Sequence, residues 1–197
     1  KRDLPEVPAE TVLIKVIAAG VNGPDLVQRR GHYPPPKGVS DLLGLEVSGE
    51  IVDVGCDQTK WSIGDRVCAL TNGGGYAEYV AVNARHCLPI PNGVNEQDAA
   101  GLPETYFTVW SNIFFNQKIK DGSVFLVHGG SGGIGSTAIQ IGAAMGLQVF
   151  ATAGSPGSCA YCEKLGAQRS INFNEEDFVP ILREIGGANI ILDIIGG

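Results

Sequence analysis

The chain lacks any run of about 18 consecutive uncharged apolar residues, so no stretch of it reads as a membrane-crossing helix. It also lacks the apolar h-region that would have to follow the basic pair in "KRDLPEVPAE", so no secretory signal is visible there. Basic charge is scarce: 14 Lys and Arg stand against 21 Asp and Glu, a formal net charge of −7. That balance disfavours the phosphate contacts on which nucleic-acid affinity rests, and no nucleic-acid partner is expected. Cysteine is sparse and odd in number, at positions 56, 68, 87, 159 and 162, without the density of a disulfide framework. A reducing, cytoplasmic compartment with no membrane partner is the expectation.

Glycine is what the chain has in excess. Its 28 residues are about twice the roughly 7% of average proteins, and they are spread along the sequence, which implies many tight turns. With 44% apolar residues, a chain of 197 can bury a real core, as one large domain or two small ones.

The two halves differ in periodicity. Between residues 12 and 90, "TVLIKVIAAGV", "LEVSGEIVDVG", "GDRVCAL" and "YAEYVAV" read as short Val- and Ile-rich strands punctuated by Gly, Asp and Asn. They follow one another too closely for intervening helices, so this half reads as all-β, paired antiparallel or barrel-like. From about Asn95, an N-cap with Asp98 three residues on, helices are expected through "EQDAAGL" and "TYFTVWSNIF". Strand and helix then alternate: "SVFLVH", helix from Gly133 to Met145, "LQVFAT", helix from Pro156 to Leu165, "RSIN", helix from Glu175 to Ile185, "NIILDII". Such alternation marks a parallel sheet with helical crossovers. The boundary is expected near Gln97, giving domains at 1–97 and 98–197. The chain begins without Met and stops after the fourth strand of a doubly wound sheet that would have two more, so it reads as truncated.

In "VHGGSGGIGSTAIQIG", Gly130, Gly132 and Gly135 fit G-x-G-x-x-G between a strand and a helix. The first glycine permits the tight turn, the second lets backbone approach a pyrophosphate, and the third allows close packing of helix on strand. The helix N-terminus presents free N–H groups and partial positive charge to the anion. Ile134, Ala138, Ile141 and Met145 recur at i, i+4, i+7 and i+11, one apolar helix face. Dinucleotide binding is the reading, against a merely flexible glycine turn. The second strand ends "ATAGS" without the carboxylate that would bind a ribose 2′-hydroxyl. Gly154 and Ser155 leave room and a hydroxyl donor, favouring NADP over NAD, although the following "PGSCAY" offers no Lys or Arg to pair with a phosphate.

Together, "NGPDLVQRRGHYPPP", "LGLEVSGEIVDVG", "IGDRVCAL", "GGGYAEYV", "LPETYFTVW", "HGGSGGIGSTAIQ" and "ATAGS" resemble the zinc-free, zeta-crystallin-like quinone oxidoreductase branch of the medium-chain dehydrogenase/reductase superfamily. The resemblance implies an α/β chain: a mostly-β GroES-like catalytic domain, here without its start and its C-terminal return, beside a Rossmann domain ending after its fourth strand. It further implies NADPH as hydride donor, a quinone or enone acceptor and a homodimer. Zinc members carry Cys where Asn22 stands and His where Leu45 stands; Asn is a poor zinc ligand and Leu none, so no metal is expected. Cys159 and Cys162 form a C-x-x-C on a helix, with no second pair to complete a structural zinc site.

By the same resemblance, Asn22 and Asp25 belong at the nicotinamide pocket and Tyr33 is the substrate-side tyrosine, the three catalytic candidates. Loop capping by Asn22 and Asp25, and a half-buried aromatic in a Pro-rich turn for Tyr33, are the plain structural alternatives. Thr108 resembles a threonine near the nicotinamide, with helix packing as its alternative. Gly130, Gly132, Gly133, Ile134, Gly135, Gly154, Ser155, Ser158 and Phe173 complete the cofactor set, with Ser158 where relatives place a phosphate-binding Lys and Phe173 where many have Tyr. His128, at the strand end before the loop, reads as a satisfied core histidine more than a base. Two rival functions stay open: an enoyl-thioester reductase, with Arg29, Arg30 and Lys37 available to a phosphate-bearing carrier, and a non-catalytic, crystallin-like NADPH-binding protein.

Overall fold

A computed structural model describes residues 2–58, 60–115 and 118–196. The chain divides into two compact units, Lys1–Glu104 and Thr105–Gly197.

The first unit is built on a five-stranded antiparallel sheet of β1 (Thr11–Ala19), β2 (Glu46–Val54), β3 (Arg66–Leu70), β4 (Tyr79–Asn83) and β5 (Cys87–Pro89), in the order β4-β1-β2-β3-β5. Its core follows the two-residue period of the strands. Val12 and Ile14 of β1, Val80 and Val82 of β4, and Val47 and Ile51 of β2 pack together, while Lys15, next after Ile14, is exposed. Register places Ile14 opposite both Ile51 and Val80, so β1 lies between β2 and β4 with its apolar residues in the core.

The all-β reading of this half is corrected in one place, where Gly23–Arg29 forms a helix, α1. The physical reason is local: Asn22 is its N-cap, Pro24 sits in the first turn, and the Asp25 carboxylate accepts the Asn22 backbone N–H at 2.9 Å. Strand β5 also escaped the sequence reading, being only three residues long. A short helix, α2 (Glu96–Ala99), starts where expected, with Asn95 Oδ1 accepting the Asp98 N–H at 2.8 Å.

Helix α3 (Pro103–Val109) runs into a π-helical turn at Trp110–Phe114, so "TYFTVWSNIF" is helical but widens midway. The second unit then carries four parallel strands, β6 (Val124–Val127), β7 (Gln148–Ala153), β8 (Arg169–Asn172) and β9 (Ile190–Leu192), in the order β8-β7-β6-β9. Helices α4 (Gly133–Ala144), α5 (Pro156–Lys164) and α6 (Phe178–Glu184) connect them. The central strand is buried on both faces: Phe125 and Val127 join one apolar cluster, Val124 and Leu126 another. A mixed α/β chain with a GroES-like sheet and a Rossmann sheet is therefore present.

Two helix expectations need correction. Met145 does not share the buried face of α4; it is half-exposed at the C-cap, and the buried face is Gly135, Ala138, Ile139 and Gly142. That face is small because it must lie close to the sheet: a Cβ on Gly142 would come within 2.9 Å of both Phe125 and Val149. Helix α6 begins at Phe178, not Glu175, because Glu175 and Glu176 turn back onto the Asn172 carbonyl and Asp177 caps the Val179 N–H at 2.9 Å.

Candidate active site

In the second unit, the chain leaves β6 at Val127 and makes a glycine turn into α4. Gly130 donates its N–H to the Thr152 carbonyl of β7 at 2.9 Å, which ties the turn to the carboxyl edge of the sheet. The motif glycines answer to different constraints. A Cβ on Gly130 would stand 2.8 Å from the Ala151 Cβ and 2.9 Å from the Cys162 Sγ, and one on Gly135 only 2.3 Å from the Gly129 carbonyl oxygen. Both positions are closed to any side chain. A Cβ on Gly132 would meet nothing nearer than 3.4 Å, and Gly132 and Gly133 are exposed, so here bare backbone faces outward. Gly132 is the N-cap of α4, so the N–H groups of Gly133, Ile134 and Gly135 are those a helix leaves without intrahelical partners. A 12-residue helix aims them, with its positive end, at the open side of the turn.

The other cofactor candidates gather along the same sheet edge. Gly154 follows β7, and Phe173, which follows β8, packs its half-exposed ring 3.0 Å from where a Gly154 Cβ would lie. Ser155 is the N-cap of α5; its hydroxyl accepts the Ser158 N–H at 3.2 Å and donates to the Ser158 hydroxyl at 3.0 Å. Asn174, not singled out from the sequence, holds this corner by donating its side-chain amide to the Gly154 carbonyl at 2.9 Å. Thr108 is half-buried on α3, its carbonyl accepting the Asn112 side-chain amide at 2.8 Å. One turn earlier, the Thr105 methyl lies 3.6 Å from where a Gly133 Cβ would be, so α3 borders the glycine turn. His128 pairs its Nδ1 with the Thr152 hydroxyl at 3.0 Å and meets the Phe178 ring edge-on, an engaged histidine behind the turn. Cys159 and Cys162 are buried free thiols, and burial pushes the Cys162 thiol up from its ordinary value.

In the first unit, α1 positions the catalytic candidates. Asp25 is 2% exposed, and its carboxylate accepts three donors: the Asn22 N–H at 2.9 Å, the Gly44 N–H at 3.1 Å and the Tyr76 hydroxyl at 2.9 Å. This saturated carboxylate fixes the entry of α1 against the loops at 44 and 76. Tyr76, missed from the sequence, has its phenol pushed up to about 12, by burial first and the Asp25 hydrogen bond second. Asn22 donates its side-chain amide to Glu46 Oε1 of β2 at 2.8 Å, while the same side chain faces the Asp25 backbone N–H as the other half of a capping box. Glu46 is also buried, at 2% exposure, and its other oxygen accepts the Glu104 N–H at 2.9 Å. Each charge-assisted bond contributes about 1.5–3 kcal/mol, against a desolvation penalty of several. Burial is the larger effect: it pushes the Glu46 carboxyl above its ordinary value despite both bonds.

Helix α1 ends in a Schellman turn, with Gly31 at φ +82°, its N–H on the Gln28 carbonyl at 2.9 Å and the His32 N–H on the Val27 carbonyl at 3.1 Å. This turn delivers Tyr33, which is 51% exposed. The Tyr33 ring is thus half-exposed, because the chain after Gly31 runs over the surface.

Leu45 has no donor atom and an amide such as that of Asn22 is a poor zinc ligand, so these two positions do not make a catalytic zinc pair.

Comparison with known proteins agrees with both units. Residues 8–92 match the alcohol dehydrogenase GroES-like domain family, and residues 133–197 the family described as zinc-binding dehydrogenase. The mouse quinone oxidoreductase is 34% identical over 194 residues, covering 98% of this chain and 59% of that protein. The crystal structure of Escherichia coli quinone oxidoreductase complexed with NADPH superposes with a TM-score of 0.84 at 30% identity, over 100% of this chain and 62% of that one. The CurK enoyl reductase structure does so with a TM-score of 0.86 at 28% identity, over 100% and 62%. The chain thus spans about 60% of the length of these relatives. With the antiparallel sheet, the β8-β7-β6-β9 parallel sheet and the glycine turn between β6 and α4, these matches establish that the chain belongs to the medium-chain dehydrogenase/reductase superfamily, on its quinone oxidoreductase branch.

Proposed function

We propose that this chain belongs to an NADPH-dependent reductase of quinones or related α,β-unsaturated carbonyls that works without zinc. The observation that carries it is the glycine turn, where Gly130 and Gly135 are sterically obligatory while Gly132 and Gly133 lie open at the start of α4. That shape fits a dinucleotide pyrophosphate. Ser155 and Ser158, with no carboxylate beside Gly154, suit a 2′-phosphate better than a bare 2′-hydroxyl, and the Phe173 ring offers an adenine a face. Thr108 and Ile134 serve the same cofactor. The similarity to an oxidoreductase crystallised with NADPH supports the choice.

NADPH supplies the hydride when bound. The chain's own residues must then meet the negative charge that develops on the reduced carbonyl oxygen, by hydrogen bonding and proton transfer. Tyr33, with its exposed hydroxyl, or water delivers that proton; Asn22 orients the reactants, and Asp25 holds the segment that carries both. One hydride and one proton together convert a quinone to its hydroquinone, both carbonyls becoming hydroxyls. Five free cysteines suit a reducing, cytoplasmic setting, and the family resemblance supports a homodimer.

The likeness to the CurK enoyl reductase favours a second reading, reduction of an enoyl thioester. Parallel assays of the full chain with NADPH and either a quinone or an enoyl thioester decide between them, read as loss of reduced-nicotinamide absorbance. Turnover with the quinone is expected. Faster turnover of the thioester selects the second reading, and bound NADPH that neither acceptor oxidises makes the protein a non-catalytic NADPH binder.

A further inference from the structure

In the second unit, the corner at the ends of β7 and β8 is made of two segments, residues 153–158 and 172–177. They read "AGSPGS" and "NFNEED", and neither contains Lys or Arg. The polar groups of the first segment are largely committed to one another. Pro156 has no N–H, the Ser158 N–H goes to the Ser155 hydroxyl at 3.2 Å and the Cys159 N–H to the Ser155 carbonyl at 2.9 Å. The first turn of α5 therefore keeps one backbone donor, the N–H of the exposed Gly157. The Ser155 hydroxyl gives its proton to Ser158 Oγ at 3.0 Å, so the proton that this pair has left to offer is that of Ser158.

The second segment brings negative charge. Glu176 is paired with Arg169 at 2.6 Å and Asp177 caps the Val179 N–H at 2.9 Å. Glu175 is exposed, next to the Asn174 whose side-chain amide holds the Gly154 carbonyl at 2.9 Å. An adenosine 2′-phosphate carries about −1.5 to −2 of charge at neutral pH. A site that selects it supplies a cation, and a site that selects the bare 2′-hydroxyl supplies a carboxylate after the second strand. These two segments supply neither. Uncharged donors only replace hydrogen bonds that water already makes, so their net gain is small. We infer that this chain takes NADH as well as NADPH, with affinities less than about tenfold apart, and that the Ser158 hydroxyl sets the remaining preference for the phosphate. The inference rests on the proposed dinucleotide site and adds a second cofactor to it.

Fluorescence titration of the full chain with each reduced dinucleotide, at low and at physiological salt, tests it. NADPH should lead NADH by less than about tenfold, and that lead should not grow as salt is lowered, because no cation faces the phosphate. A larger lead, or one that grows at low salt, overturns the inference. Ser158→Ala should bring the two dissociation constants within about twofold of each other, and a lead that survives this change takes the preference away from Ser158. Ser158→Lys adds the missing cation and should raise the NADPH lead about tenfold or more, now with salt dependence. An unchanged ratio in the Lys variant would mean that position 158 is away from the phosphate, and the inference falls. Binding is read without turnover, so a chain that holds both dinucleotides but passes hydride to no acceptor overturns the reductase reading alone. A chain that binds neither overturns both.

Discussion

The two units offer sites of opposite construction. The glycine turn of the second is made of backbone, from contiguous residues that contain no titratable group between Gly129 and Ser136. The Asn22 region of the first is made of side chains that meet across the fold: Asn22 with Glu46, Asp25 with Tyr76, Glu46 with the Glu104 N–H, at sequence separations of 24, 51 and 58. A backbone site is specified by sterics that admit one residue type, so its spacing is a signature. A side-chain network is specified by pairings that only tertiary structure creates.

Breaking the backbone site should have the largest effect. A side chain on Gly135 would begin 2.3 Å from the Gly129 carbonyl oxygen, and neither α4 nor the turn has a flexible group that could yield. Gly135→Val is therefore expected to weaken NADPH binding by at least about a hundredfold, with a fall in melting temperature, since forced overpacking costs about 1–3 kcal/mol or more. Titration of cofactor fluorescence and thermal melting read the two effects; near-normal binding would remove the steric account of the motif.

The next effect belongs to the side-chain site. Tyr33 stands exposed after the Schellman turn at Gly31, so removing its hydroxyl disturbs no packing. Tyr33→Phe should lower kcat about tenfold, the modest end of general-acid effects because water can substitute, while the NADPH dissociation constant changes less than twofold. Equal turnover would take Tyr33 out of the proton step.

A finer cut separates the glycines from one another. Gly132→Ala places a methyl 3.4 Å from its nearest neighbour, an ordinary contact, at an N-cap with φ −78° that alanine tolerates. Melting should stay nearly unchanged while NADPH binds a few-fold more weakly, because the methyl occupies the approach to the pyrophosphate. Stability lost with binding intact would mean that Gly132 serves the fold and not the ligand.

The same contrast explains what could be read from the sequence. The G-x-G-x-x-G spacing, the Val- and Ile-rich strands and the Asn95 N-cap are local chemistry, and they led to the sheets and the turn directly. Helix α1 was missed because its signals, Asn22, Pro24 and Asp25, read equally well as a polar loop; the choice was made by a carboxylate that also bonds Gly44 and Tyr76. Met145 was assigned to the buried face of α4 by period alone, whereas close approach to Phe125 and Val149 favours the glycine and alanine side. Tyr76, Glu104 and Asn174 carried no local mark, since each matters only through a partner distant in sequence or through a backbone group.

The smallest expected effect separates the two constructions by pH. Burial is the chief cause that pushes both the Glu46 and Glu104 carboxyls above their ordinary 4.5, and for Glu104 the nearby Glu46 and Asp25 add to it. A carboxyl whose folded pKa is raised binds its proton in the native state before it does so in the unfolded chain. Its stabilising contribution is fully present below 4.5 and is lost as pH rises through the elevated folded value. Glu46→Gln removes the titration at one position but keeps the volume. The melting temperature of the wild type relative to this variant should therefore decline as pH is raised from about 4.5 toward neutrality, the reverse of a carboxylate held by a cation. Gly132→Ala, in the site without titratable groups, should shift melting equally at every pH. A wild type that gains on the Gln variant with rising pH would show that the bonds from Asn22 and Glu104 outweigh burial, and would reverse the balance of forces assigned to Glu46.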